Sequence, residues 1–191
     1  MEILKQRINE EGRVLDNRVL KVDSFLNHQI DPALFQAIGK EIAKRFEGKQ
    51  IDRIVTIEAS GIALALMAAI EMNVPLVFAR KKKSILMTDE VYHSVVYSYT
   101  KEENYDVTVS KRFLPAGEHV LIIDDFLASG EAAMGLAKLV ESAGDTVEGI
   151  AIVIEKSFQP GRERLERAGY HVESLIRIER FEDNRCIFVE D

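Results

Sequence analysis

Runs of consecutive apolar residues alternate along this chain with stretches in which apolar residues recur at helical spacing, and that alternation predicts strands and helices in turn. Residues 2–11 carry Ile3, Leu4 and Ile8 at helical spacing and stop at Gly12. Val14-Leu15 and Val19-Leu20-Lys21-Val22 read as short extended pieces. Asp31-Pro32 predicts a helix start, with an acid at the N-cap and proline at the first position, and Gly48 lies just past the helix end. The order then runs strand 51–57, helix 62–72, strand 74–80, strand 120–125, helix 130–143, strand 147–155, helix 161–168 and strand 171–178. Strands alternating with helices imply an α/β fold, a central parallel sheet flanked by helices. The interruption is 84–111, where 91–100 and 105–111 are β-branched and aromatic and flank Lys101-Glu102-Glu103-Asn104. This reads as a hairpin projecting from the sheet: a mobile cover for a site, or a structural or dimer-forming flap.

Composition narrows the class. A chain of 191 residues, 47% hydrophobic and 30% charged, suits a single domain over 1–191 with one well-filled core. A net charge of −7 and a pI near 5.3 argue against a broad DNA- or RNA-binding surface. No apolar stretch approaches a membrane span, and Met1-Glu2-Ile3-Leu4-Lys5 begins an amphipathic pattern, so the expectation is a cytoplasmic protein with no membrane partner. Cys186 is the only cysteine, which rules out an internal disulfide, and it reads as a small hydrophobe in a terminal strand. His28, His93, His119 and His171 show no metal-ligand spacing, so no protein-bound metal is expected.

The chemistry concentrates in Val120-Leu121-Ile122-Ile123-Asp124-Asp125-Phe126-Leu127-Ala128-Ser129-Gly130-Glu131-Ala132. Four apolar residues suit a strand covered on both faces, and Asp124-Asp125 fall where it should leave the sheet, the edge at which open α/β sheets bind ligands. Ala128-Ser129-Gly130 are small enough to wrap backbone amides around a phosphate at a helix N-terminus, while carboxylates accept hydrogen bonds from sugar hydroxyls. The combination fits a ribose 5-phosphate site; no Walker P-loop occurs. Glu58-Ala59-Ser60-Gly61 repeats the strand, small loop, helix logic as a second anion loop. Arg80-Lys81-Lys82-Lys83 follows another strand, where cations would meet a pyrophosphate. Lys156 directly follows the strand 147–155; its ammonium has donors only and favours a 6-oxo over a 6-amino purine. Phe126 and Phe158 lie near strand ends, where either a stacking or a core role fits.

The acidic pair with its small-residue loop resembles the signature of type I phosphoribosyltransferases, which use Mg²⁺-bound phosphoribosyl pyrophosphate (PRPP). Residues 20–32, 56–63, 124–128 and 154–161 together resemble the bacterial xanthine phosphoribosyltransferase family. The resemblance implies that Leu20, Asn27 and Lys156 hold xanthine, Ala128, Ser129, Gly130, Glu131 and Ala132 hold PRPP, Ser60, Gly61, Arg80 and Lys81 serve pyrophosphate, and Asp124 and Asp125 are catalytic. It further implies a hood over the base pocket from residues 1–30, magnesium carried by PRPP, a homodimer in which the basic run serves the neighbouring site, and xanthosine 5′-monophosphate as product. Glu131 departs from the uncharged polar residue usual in that family, and an acid beside phosphate is tolerable only if it points away. Hypoxanthine-guanine transferases place a general-base Asp where this chain has Ala128, which leaves the base that deprotonates the purine unassigned. The alternatives are guanine or hypoxanthine as substrate, or a non-catalytic PRPP-binding regulator; against the regulator, the stretch ahead of Asp31 is too short for a winged-helix module.

Overall fold

The computed structural model describes residues 1–81, 90–98 and 103–190. Helix α1 (Glu2–Glu11) buries Leu4 and Ile8 and ends at Gly12. It leads into a small antiparallel ribbon of β1 (Arg13–Leu15) and β2 (Val19–Lys21), then a π-helical turn, Asp23–Asn27. Asp16 and Asn17 turn the ribbon at φ 51° and 48°, a left-handed backbone that Asp and Asn tolerate better than other side chains. Helix α2 (Pro32–Arg45) is capped by Asp31, whose carboxylate accepts the Ala33 and Leu34 N–H groups.

The sheet follows: β3 (Arg53–Ile57), α3 (Ser60–Met72) and β4 (Leu76–Ala79), then the hairpin β5 (Val91–Ser98) and β6 (Glu103–Ser110), then β7 (His119–Leu127), α4 (Glu131–Ser142), β8 (Thr146–Lys156), α5 (Gly161–Arg167), β9 (Val172–Glu182) and β10 (Arg185–Phe188). Among the described residues six strands form the sheet in the order β10-β9-β8-β7-β3-β4, parallel except for the antiparallel edge strand β10. Alternate residues of β7 supply the two faces. Leu121 and Ile123 join the core under α1, α2 and α3, whereas Val120 and Ile122 join the one under α4 and the hairpin.

Several boundaries shift from expectation. Strand β7 continues two residues past the acidic pair because β8 continues beside it, pairing Phe126 with Ile154 and Leu127 with Glu155. Helix α3 begins at Ser60, so Ser60 and Gly61 form its first turn instead of a loop before it. The hairpin does not project freely. Val96 of β5 is buried against Gly135 of α4, close enough that a Cβ on Gly135 would lie 2.4 Å from the Val96 methyl. Residues 84–89 and 99–102 of the expected excursion fall outside the described residues, and Glu103 and Asn104 of its expected turn begin β6.

Candidate active site

Strands β3 and β7 pair from Arg53 against Val120 to Val55 against Ile122, and then part. Strand β4 lies beyond β3 while β8 and β9 lie beyond β7, so the chain reverses its winding between these two strands. The crevice that opens there is the topological switch point, and Asp124 and Asp125 lie in it. The Asp124 carboxylate is buried and accepts the Asp125 N–H at 3.0 Å; Asp125 in turn accepts the Phe126 N–H at 2.9 Å. Burial, and after it the neighbouring Asp125 carboxylate, push the Asp124 pKa well above the ordinary carboxylate range, with Lys81 opposing.

Across the crevice, Gly61 packs on the fully buried Thr56. A Cβ at Gly61 would lie 2.2 Å from Thr56 Oγ1 and 3.5 Å from Asp124 Oδ1, so glycine is what lets α3 begin this close to the acids. The preceding Glu58–Ala59 peptide is cis. Glu58 Oε1 accepts the Lys81 N–H at 2.8 Å, which ties the end of β4 to this loop. Arg80 exchanges both main-chain hydrogen bonds with Thr108 of β6, at 2.9 Å each, and its guanidinium lies 5.5 Å from the Phe78 ring centre. Lys81 Nζ lies 5.7 Å from the Tyr105 ring centre. Lys82 and Lys83 lie outside the described residues.

The other loop, Ala128–Gly130, is closed by Gly130 at φ 82°, a left-handed conformation that precedes α4. It rests on α5. A Cβ on Gly130 would lie 3.0 Å from the Gly161 Cα, and the Gly161 N–H donates to Ala128 O at 3.0 Å. Glu131, the residue whose charge was out of place, pairs with Arg164 at 2.5 Å, and the same Arg164 nitrogen donates to Ser129 O at 2.9 Å.

One open cleft of about 1110 Å³ joins this loop to Lys156. Its walls are the β1–β2 turn, residues 126–133, the Tyr97 and Tyr105 rings of the hairpin, and the segment carrying Lys156 and Phe158. Lys156 Nζ lies 5.9 Å from the Phe126 ring centre and 5.6 Å from that of Phe181, and it donates to Arg18 O at 3.4 Å. Burial lowers its pKa, with Cys186 opposing. Phe158 packs edge-on against Phe181 at 5.3 Å.

Thus Ala128, Ser129, Gly130, Glu131, Ala132 and Lys156 share one cleft, whereas Asp124, Asp125, Ser60, Gly61, Arg80 and Lys81 lie along the crevice beside it and do not form its wall. The side chains of Leu20 and Asn27 are not brought to the cleft. Alternation along β2 sends Leu20 into the core, buried beside Val14, so Val19 and Lys21 line the cleft instead, and Asn27 is exposed. Sequence reasoning missed Thr56, Tyr97, Tyr105, Arg164 and the Asp16–Arg18 turn. Only that turn carried a local signal, the Asp-Asn pair.

Comparison with known proteins covers almost the whole chain. The family described as the phosphoribosyl transferase domain matches residues 24–190. The chain is similar to xanthine phosphoribosyltransferases of Exiguobacterium sp. (58% identity, covering 100% of this chain and 98% of the relative), Listeria monocytogenes serotype 4b (56%, 100% and 100%) and Shouchella clausii (57%, 100% and 96%). Among solved structures, it resembles the adenine phosphoribosyltransferase of Thermoanaerobacter pseudethanolicus (31% identity, TM-score 0.70, covering 77% of this chain and 82% of that one). The Trypanosoma brucei adenine enzyme shares the fold (21%, TM-score 0.78, 96% and 83%).

Proposed function

This chain belongs to the phosphoribosyl transferase family, and from that premise we propose that it joins xanthine to PRPP, giving xanthosine 5′-monophosphate and pyrophosphate. The observation that carries the reading is the switch-point crevice, where two carboxylates lie between two glycine-bearing helix starts.

In this reading the amides of Ser129 to Ala132 hold the 5′-phosphate, and Asp124 and Asp125 accept hydrogen bonds from the ribose 2′- and 3′-hydroxyls. Displacement at the anomeric carbon passes through an oxocarbenium-like sugar, which nearby negative charge favours. Ser60, Gly61, Arg80 and Lys81 receive the pyrophosphate. Magnesium travels with PRPP and, when bound, neutralises the departing pyrophosphate. The donor set fits a substrate-borne ion: Mg²⁺ is commonly held by one or two carboxylates plus substrate phosphates. Among the described residues no three or more His, Cys, Asp or Glu side chains are grouped so as to hold a metal ion.

Lys156 sets the base preference. An ammonium at the cleft end donates to the 6-oxo group of xanthine and meets the 6-amino group of adenine with no acceptor. Leu20 and Asn27, which the family resemblance also assigns to the base, lie outside this cleft, Leu20 with its side chain in the core and Asn27 exposed, so in this reading Lys156 alone carries the base preference. With alanine at 128, the purine's own acidity supplies the deprotonated nitrogen, so the rate tracks xanthine ionisation. Residues 1–191 act as one domain. The apolar side chains of Leu66, Ile70 and Phe78, exposed on α3 and β4, support a homodimer, and no helix among the described residues is long and apolar enough to cross a membrane.

The test is pyrophosphate release from Mg²⁺-PRPP with xanthine, guanine, hypoxanthine and adenine in turn. Xanthine should give the highest kcat/KM and adenine the lowest. PRPP binding without turnover on any base would favour a regulator.

A further inference from the structure

The phosphate loop does not stand alone: helix α5 backs it at Ala128, Ser129 and Glu131. Gly161 N–H takes the Ala128 carbonyl at 3.0 Å, and Arg164 Nη1 takes both the Ser129 carbonyl at 2.9 Å and the Glu131 carboxylate at 2.5 Å. In a trans peptide the C=O and the following N–H point in opposite directions. With the Ala128 and Ser129 carbonyls turned onto α5, the N–H groups of Ser129 and Gly130 face away from it, toward the cleft that residues 128–130 line. Helix α5 is itself pinned to the sheet. Arg162 donates to both oxygens of the buried Glu155, at 2.7 to 3.1 Å, and to Val172 O and Ser174 Oγ.

The charge arithmetic singles out one side chain. A sugar phosphate entering this loop carries up to two negative charges and meets a third at Glu131, which lines the same cleft. Like charges at hydrogen-bonding range in a partly buried site repel, unless a cation is shared between them. Arg164, bonded to Ser129 O and to Glu131 on either side of Gly130, is that cation.

Resting on the phosphoribosyltransferase reading, we infer that Arg164 is a positioning residue for PRPP: it turns the loop amides toward the 5′-phosphate and cancels the charge of Glu131. The role is specific to a chain with an acid at 131, because an uncharged residue there would need no cancelling partner.

The test is a double-mutant cycle read as KM for PRPP, kcat and KM for xanthine in wild type, Arg164→Ala, Glu131→Gln and the double variant, with Arg164→Lys as the charge-retaining control. Loss of a charge-assisted contact predicts that Arg164→Ala raises the KM for PRPP about tenfold. The KM for xanthine stays put. In the Glu131→Gln background the same substitution costs less than half of that factor, Glu131→Gln alone lowers the KM for PRPP, and Arg164→Lys restores most of the affinity. A merely structural role through Ser129 O gives an equal penalty in both backgrounds, and that result overturns the inference, as does an equal rise in both KM values. If Arg164→Ala fails to fold, Glu131→Gln alone decides: a lowered KM for PRPP supports the inference, and an unchanged or raised one overturns it. Absence of PRPP-dependent turnover in wild type strikes the underlying reading; normal wild-type turnover with additive variants strikes only this one.

Discussion

Gly61→Ala is the smallest change that reaches the heart of the site. The new methyl would lie 2.2 Å from Thr56 Oγ1, and Thr56 is fully buried, with Asp124 Oδ1 only 3.5 Å from the same point. Relief demands that the start of α3 move away from β3 by roughly 1 Å, since ordinary carbon contacts lie near 3.5 Å. Overpacking of this kind costs about 1–3 kcal/mol, which for a chain of this size lowers Tm by about 2–12 °C. Activity is the more sensitive readout. Displacing a substrate-positioning loop by that distance costs about 10²-fold in kcat/KM. Thermal melts and initial rates of pyrophosphate release measure both effects. Adding Thr56→Ala removes the opposing oxygen and should restore most of the activity while leaving Gly61→Ala in place. Wild-type Tm and kcat/KM in Gly61→Ala, or a double variant no better than the single one, would refute the argument that this glycine is held to nothing larger by Thr56.

Three further outcomes follow from the same geometry. Because burial and Asp125 raise the folded-state pKa of Asp124, its ionisation costs stability as pH rises from the ordinary carboxylate range through the raised value. Asp124→Asn therefore raises Tm at neutral pH while lowering kcat, and its Tm advantage shrinks toward acid pH; a Tm gain independent of pH would contradict this. Glu155 behaves oppositely. Burial raises its pKa, but hydrogen bonds from Arg162, Ser174 and Ser157, with the Arg162 charge, outweigh burial and leave it lowered. Its contribution is thus present at neutral pH and lost on acidification, and Glu155→Gln should cost about 3–5 kcal/mol at neutral pH by denaturant melts, with an unchanged midpoint counting against the network. Lys156→Ala should reduce kcat/KM for xanthine and guanine by about 10–100-fold, the worth of one charged hydrogen bond, with adenine unaffected, and unchanged oxo-purine rates would remove Lys156 from recognition.

The order of elements was legible because each apolar run had its own period and its own punctuation, as at Asp31-Pro32 and Gly12. The acidic pair and the Ala128–Gly130 loop were legible for the same reason: a buried strand, two acids and a small-residue turn are contiguous in sequence. Strand ends were less so. Nothing near Phe126 and Leu127 says that β7 persists, since what extends it is β8, a separate segment pairing as far as Glu155. Contacts between distant segments were silent altogether. The docking of Val96 on Gly135, the seat of Gly61 on Thr56 and the reach of Arg164 to Ser129 each join residues whose local sequence gives no hint of the other. The burial of Leu20 was readable in principle, because Val19-Leu20-Lys21 must alternate across a ribbon with one covered face.

The central claim, that the crevice between β3 and β7 grips an activated ribose phosphate, is tested most directly by calorimetric titration of the intact protein with PRPP, with and without magnesium. The account predicts saturable, magnesium-dependent binding of one PRPP per chain, greatly weakened when Asp124 and Asp125 are both replaced by Asn. No heat of binding in the folded wild-type protein, or affinity unchanged by loss of both acids, would contradict it.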